Sequence, residues 1–155
     1  MLDDISLKIL KILQKKARIP NVEVARQVDM APSAVLERIR KLEQKGFIDG
    51  YEVRLNPDKF KRNLVAFITI VTSAREAVML IGKQLTAISE IQEVHHITGE
   101  DGFLVKVRVS DVAELGKIIQ DKILKIAGIE KTHTAIAMST FKETARIPID
   151  THDTV

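Results

Sequence analysis

The sequence predicts an α+β protein in two parts, a tri-helical unit at the front and a β-α-β-β-α-β unit behind it. Three observations support this. Apolar residues recur every three to four positions through the first 45 residues or so, as they do in short amphipathic helices. Beyond residue 63 the apolar period switches repeatedly between 2 and 3.6, so strands and helices alternate. Between these regions lies a turn signal, Asn56-Pro57-Asp58, in a stretch where composition also changes. The expected division is a helix-turn-helix domain over 1–52, a linker strand and turn over 53–63, a second domain over 64–142 and a tail over 143–155.

The first helix is capped by Asp3 or Asp4 and turns Ile5, Ile9, Ile12 and Leu13 to one side. Ile19-Pro20-Asn21 breaks it and caps a second helix with Val24, Ala25 and Val28 inward. Asp29-Met30-Ala31-Pro32 forms a tight turn. Pro32 sits where a first helical position lacks an N–H partner anyway, and Gly46 ends the third helix. Val35, Ile39 and Leu42 form that helix's apolar stripe, and Ser33, Ala34, Glu37, Arg38 and Lys41 are assigned to the opposite face, flanked by Arg40 and Lys45. This is the layout of a helix-turn-helix, whose second helix fits the major groove of DNA. Arginine there can pair with guanine O6 and N7, at about 1–3 kcal/mol of discrimination for each good contact. Glu37 can orient Arg38 or accept from cytosine N4, while Arg40 and Lys45 meet phosphates. Lys8, Lys11, Lys15, Lys16 and Arg18 add sequence-independent attraction. Phe47 to Val53 then reads as a turn and a strand.

In the second part, Leu64 to Val71 is a buried β-branched strand, and Ser73-x-x-Glu76 is a capping box opening a helix that turns Ala77, Val78, Ile81, Leu85 and Ile88 inward. Ile91 to Thr98 reads as a strand and Gly99-Glu100-Asp101-Gly102 as a tight loop. Phe103, Val105, Val107 and Val109 alternate with Leu104, Lys106 and Arg108 in a half-buried strand. Asp111-x-x-Glu114 opens a second helix bearing Leu115, Ile119, Ile123 and Ile126, ended by Gly128, and Ile129 to Phe141 is the last strand. The order is that of a ferredoxin-like fold. Two helices cover one sheet face, so the other, with half of the first strand's apolar residues and Leu104, calls for a second copy of the chain. The tail from Ile147 to Val155 carries no pattern and is expected to fray or dock loosely.

Charge is segregated. Residues 1–62 hold 14 Lys/Arg against 9 Asp/Glu, whereas residues 63–155 hold 10 against 12. A basic front on a mildly acidic rear suits a front that meets phosphates. The chain has no cysteine, which excludes a disulfide framework, a thiolate metal site and a thiol nucleophile. The acidic start MLDDISLKIL lacks the basic region of a signal peptide, and the apolar runs are too short for a membrane-spanning helix. His95 and His96 are consecutive on a strand and point to opposite faces, and His133 and His152 have no partner at ligand spacing. No metal, cofactor or catalytic residue is expected, and no phosphate-binding or nucleophile motif occurs.

Ordered pieces across both halves resemble the Lrp/AsnC (leucine-responsive, or feast/famine) regulators. They are Leu2-Asp3, Ile9-Leu10, Arg18-Ile19, Val24-Ala25, Ala31 to Val35, Arg38-Ile39, Leu42-Glu43, Gly46 to Ile48 and Gly50-Tyr51, then Val94, Thr98 to Asp101, Leu104, Gly128-Ile129 and Thr132 to Ala137. The resemblance spans residues 2 to about 145. It implies a cytoplasmic transcription regulator with a winged helix-turn-helix on double-stranded DNA and a ferredoxin-like effector domain. It implies dimers that assemble into tetramers or octamers, and an amino-acid effector held between dimers by Thr98, Gly99, Glu100, Asp101 and Gly102 together with Thr132, Thr134, Ile136 and Ala137. The chain departs from the family pattern in three places. Ala31 stands where serine is common, Ser6 where many members carry aspartate, and Gly102 at the fourth place of a loop that commonly runs Gly-x-x-Asp. Two other readings fit parts of the sequence: a ligand-binding or assembly module without specific DNA binding, and a small ferredoxin-like enzyme using Glu100 and Asp101 as paired carboxylates.

Overall fold

The computed structural model describes residues 2–73, 77–99 and 102–150. The chain forms two compact units. One runs to Arg54 and takes in the segment from Glu143 onward; the other is Leu55–Lys142.

The first unit contains α1 (Asp4–Lys15), α2 (Asn21–Val28) and α3 (Pro32–Gln44). Ile9, Leu10, Leu13, Val24, Ala25, Val28, Val35, Ile39 and Leu42 make its core. The cap of α1 is Asp3 rather than Asp4, its carboxylate accepting from the Ser6 N–H at 2.8 Å. The cap of α2 is Pro20, with Asn21 already inside the helix, and Asp29 takes the left-handed conformation (φ 54°) that turns the chain toward α3. Gly46 (φ 73°) ends α3 as expected, and the N–H of Phe47 returns to the Leu42 carbonyl at 2.9 Å.

The Ala31 backbone is extended (φ −69°, ψ 141°), as an N-cap requires, but no side chain caps α3. Ala31→Ser should therefore stabilise this unit by about 1 kcal/mol. A rise in the thermal midpoint checks this, and an unchanged midpoint would show that another group already serves the free N–H groups.

Two expectations for this unit are corrected. The strand expected over Phe47–Val53 is absent: residues 48–56 form no ladder with any described strand. Tyr51 is instead tied by its hydroxyl to Glu43 at 2.8 Å. The patternless tail is anchored. Gln14 holds the Ile147 backbone by both its N–H (2.9 Å) and its carbonyl (3.2 Å), Arg146 reaches the Lys15 carbonyl, and Ile149 packs on the core.

In the second unit the linker carries a 3-10 turn (Pro57–Phe60), capped by Asn56 accepting from the Asp58 N–H. There follow β1 (Leu64–Thr72), α4 (Val78–Thr86), β2 (Ile91–His96), β3 (Phe103–Val109), α5 (Val112–Ile118) and β4 (Ile129–Ile136). All pairings are antiparallel in the order β2-β3-β1-β4, as a ferredoxin-like fold demands. Ala66, Ile68 and Ile70 of β1 and the odd positions 103–109 of β3 face α4 and α5, and with Ile81, Leu85, Leu115, Ile118 and Ile123 make the core.

Several boundaries differ from expectation. α4 begins after Ala77, which offers no side-chain cap; the expected capping box of Ser73 and Glu76 runs through residues 74–76, which lie outside the described residues. α5 is capped by Asp111 as expected, but Glu114 reaches back to Ser110 rather than to Asp111, and the helix passes into a π turn over Ile119–Ile123. β2 stops at His96 and β4 at Ile136, short of the expected Thr98 and Phe141. The uncovered sheet face is less apolar than expected. Phe67 is 40% exposed there. Around it Lys106 reaches across to Glu93 at 2.9 Å, and His95 and His133 take register with Leu104 and Thr69.

Candidate nucleic-acid and effector sites

The outward side of α3 follows from its pitch. Each residue turns the helix by about 100°, so Arg38 lies only about 60° from Val35 around the axis, whereas Arg40 lies about 140° away. Sequence analysis puts Arg38 opposite the apolar stripe and Arg40 at its flank; the structure reverses them. The Arg38 side chain is 30% exposed and that of Arg40 is 59% exposed. Arg38 turns toward α1, where its Nη1 lies 2.6 Å from an Asp3 carboxylate oxygen and 3.1 Å from the Ser6 hydroxyl. Ser6 is buried. Arg40 makes a looser pair with Glu37 at 3.3 Å. Ser33, Glu37, Arg40, Lys41 and Lys45 are exposed and Ala34 is half-buried. Lys41 and Lys45 also line a cleft with Leu2, Asp3, Ser6, Arg38, Leu42 and Phe47, so cations gather at the junction of α1 and α3.

Hydrogen bonds from Ser6 and then from Arg38 hold the Asp3 carboxyl down from its ordinary 3.8 to about 2. In the second unit, Ser110 and then Arg62 hold Glu114 down from 4.5 to about 2. A depressed carboxyl stabilises the fold above its ordinary value, and that stability is lost as pH falls toward the folded-state value. Acid titration should therefore erode stability between about pH 4.5 and 2, and Asp3→Asn together with Glu114→Gln should flatten that limb. An unchanged acid limb in the double variant would assign it to other carboxylates.

The expected effector residues divide. Thr98 and Gly99 are exposed at the β2–β3 turn, with Gly99 at φ 112°. Glu100 and Asp101 lie outside the described residues. Gly102 is buried; its N–H is donated to the Ile70 carbonyl at 2.8 Å and is not free for a ligand. A Cβ on Gly102 would fall 2.3 Å from Thr72 Cγ2 and 3.4 Å from the Ile70 carbonyl oxygen. Thr132 pairs with Ile70, which also pairs with Phe103, so it lies at the sheet end that carries the loop. Thr134 is one step farther along. Ile136 pairs with Ala66, about 14 Å along the strand from Thr132, and Ala137 follows it, donating its N–H to the Val65 carbonyl. One copy of the chain therefore does not gather all of these residues at one place.

His95 faces the uncovered side of the sheet, while His96 stacks obliquely on Phe103 with ring centroids 5.4 Å apart. Among the described residues no cluster of three metal-ligating side chains occurs, and no helix is long and apolar enough to cross a membrane.

Comparison with known proteins bears on both halves. Residues 2–49 match the winged helix-turn-helix DNA-binding family, and residues 65–147 match the Lrp/AsnC ligand binding domain. The leucine-responsive regulatory proteins of Klebsiella pneumoniae and of Escherichia coli K12 are each 36% identical over 152 residues, covering 97% of this chain and 93% of theirs. Among solved structures, a transcriptional regulator of Neisseria meningitidis in complex with L-Met superposes with a TM-score of 0.90 at 27% identity, covering 96% of this chain and 97% of that one. An AsnC family transcriptional regulator from Agrobacterium tumefaciens gives 0.89 at 27% identity, covering 95% and 97%. The relatives are regulators, which removes the reading of Glu100 and Asp101 as catalytic carboxylates. The chain belongs to the Lrp/AsnC family: it is a DNA-binding transcription regulator, not an enzyme, with a winged helix-turn-helix in front of a ligand-binding domain.

Proposed function

We propose that this regulator reads double-stranded DNA in the cytoplasm with the outward side of α3 and answers to a small molecule of the amino-acid class. Ser33, Ala34, Glu37 and Arg40 meet base edges, and Lys41 and Lys45 meet phosphates. Arg38 supports them from the flank. The observation that carries this is the third helix itself: apolar on one side, cationic and exposed on the other, and bounded by Pro32 and Gly46. A surface that neutralises phosphates releases condensed counterions, so its affinity must fall steeply as salt rises.

The chain acts as a dimer that builds to a tetramer or octamer. The partly apolar sheet face around Phe67 and the stretch over 48–56, which joins no described ladder and exposes Tyr51, Val53 and Leu55 at alternate positions, both suit a second copy. The effector is held by Thr98, Gly99 and the neighbouring acidic loop of one copy, with Thr132, Thr134, Ile136 and Ala137 contributing along β4. Their spread over about 14 Å of strand favours a site completed by another subunit. The L-Met complex of the Neisseria meningitidis relative supports the ligand class.

The test is fluorescence anisotropy on duplexes from the region upstream of the protein's own gene, repeated over a salt series with and without each standard amino acid. Steep salt dependence together with a shift caused by one amino acid supports the proposal. Salt-independent or absent binding would leave an assembly module without DNA affinity, and binding indifferent to every amino acid would remove the effector class.

A further inference from the structure

We propose that Asp3 is a positioning residue for DNA recognition, fixing α3 against the first turn of α1 through Arg38 without touching DNA. The proposal rests on the reading that α3 meets the duplex. One carboxylate does two tasks here. An oxygen of Asp3 accepts from the Ser6 N–H and caps α1, while the other is 2.6 Å from Arg38 Nη1. The same guanidinium nitrogen is 3.1 Å from the hydroxyl of Ser6, which is itself buried. The group therefore joins residues 32 and 35 positions apart in sequence and ties the start of one helix to the middle of another.

This tie sits one side chain away from the reading surface. Arg38 lies between Glu37, which is paired with Arg40, and the apolar Ile39, which anchors the helix in the core. The three buried core side chains of α3 (Val35, Ile39 and Leu42) set which side of the helix faces the core, but apolar contacts are non-directional and leave its fine rotation to directional contacts. A charge-assisted hydrogen bond from arginine to a carboxylate is directional. The Asp3–Arg38 contact thus fixes the rotation that decides which side chains face the groove. Base readout depends on that rotation, because bidentate contacts to base edges tolerate little misalignment. Attraction to phosphates depends on it far less.

Asparagine caps a helix about as well as aspartate, so Asp3→Asn keeps the cap and removes the charge. The probes are a duplex recovered by in vitro selection from a random pool and poly(dI-dC) as the unselected competitor. Asp3→Asn should weaken binding to the selected duplex by roughly tenfold and leave poly(dI-dC) binding as it was, a loss of discrimination and not of charge attraction. Arg38→Met should lose discrimination to a similar extent, and the double variant little further, since both substitutions break the Asp3–Arg38 contact. Adding Ser6→Asp to Asp3→Asn returns a carboxylate within reach of the same guanidinium and should restore discrimination. A purely structural tie would lower the melting temperature and leave the ratio of selected to unselected binding unmoved, which would overturn the proposal. So would Arg38→Met losing discrimination while Asp3→Asn keeps it, the result expected if Arg38 contacts a base directly. If Arg40→Gln and Lys41→Gln also leave both affinities unchanged, α3 is not the reading element, and the failure belongs to that reading.

Discussion

Gly102→Ala should lower the melting temperature of the ligand-binding unit by roughly 5–20 °C, the consequence of about 1–3 kcal/mol of overpacking in a unit of this size. The added methyl group has no space: it falls 2.3 Å from Thr72 Cγ2, and the Ile70 carbonyl oxygen lies 3.4 Å away on the same strand. Neither neighbour yields easily. Thr72 closes the end of β1, its hydroxyl donating to the Gly128 carbonyl at 2.6 Å, and the Ile70 carbonyl accepts from Gly102 itself. Thr72→Ser removes the clashing methyl and keeps a hydroxyl for Gly128, so the double variant should recover most of the loss. Gly102→Asp should cost more than Gly102→Ala, since it adds a carboxylate to the same filled space. Differential scanning calorimetry of the four chains checks this; equal midpoints for Gly102→Ala and the parent would mean that the loop moves aside freely.

That glycine also marks how far the sequence could be read. The family pattern places a ligand-binding carboxylate at its position, and from sequence alone Gly102 reads as a missing ligand contact. Its actual environment is a long-range contact between β3 and the end of β1, which no local pattern records. The helix-turn-helix was legible because its signals are local: Asp3 as a cap, Pro32 at a helix start, Gly46 at a helix end and an apolar stripe at constant pitch. The order of strands and helices was legible for the same reason. The failures share a cause. Arg38 and Arg40 differ by two positions in sequence but by about 160° around the helix (200° the other way), and only angle arithmetic separates the buried flank from the open side. The stretch after Gly46 alternates like a strand, yet strand pairing needs a partner, and no described strand pairs with it. The tail lacks periodicity because its anchors are a side-chain amide on α1 and one isoleucine, contacts made over 133 residues of sequence separation.

Exchanging Arg40, Lys41 and Lys45 for glutamine should weaken DNA binding on the order of a hundredfold at about 0.1 M salt and flatten the log–log salt slope by roughly 1.8 per recognition helix, the share of the two phosphate-contacting lysines. Each of the three side chains is exposed, and none is committed to the fold. Arg40 is paired, but only with Glu37 at 3.3 Å, both side chains being about 60% exposed. Such pairs are worth about 0–1 kcal/mol, so the guanidinium leaves Glu37 readily when a phosphate or guanine edge offers more. Glutamine keeps the helix propensity and the aliphatic stem, which confines the change to charge. Glu37→Gln supplies the opposite sign: it removes the only carboxylate among the proposed contacts, and should tighten binding to unselected DNA while loosening any preference at the base that Glu37 faces. Equivalent substitution of Lys83 and Lys117, on the helices of the ligand-binding unit, serves as the control and should leave the slope nearly unchanged. If the triple variant keeps the parent slope, the phosphate contacts lie elsewhere on the first unit. The cations Lys8, Lys11, Lys15 and Lys16 of α1 and its C-cap, with Arg18 beyond it, would then be the surface to substitute next.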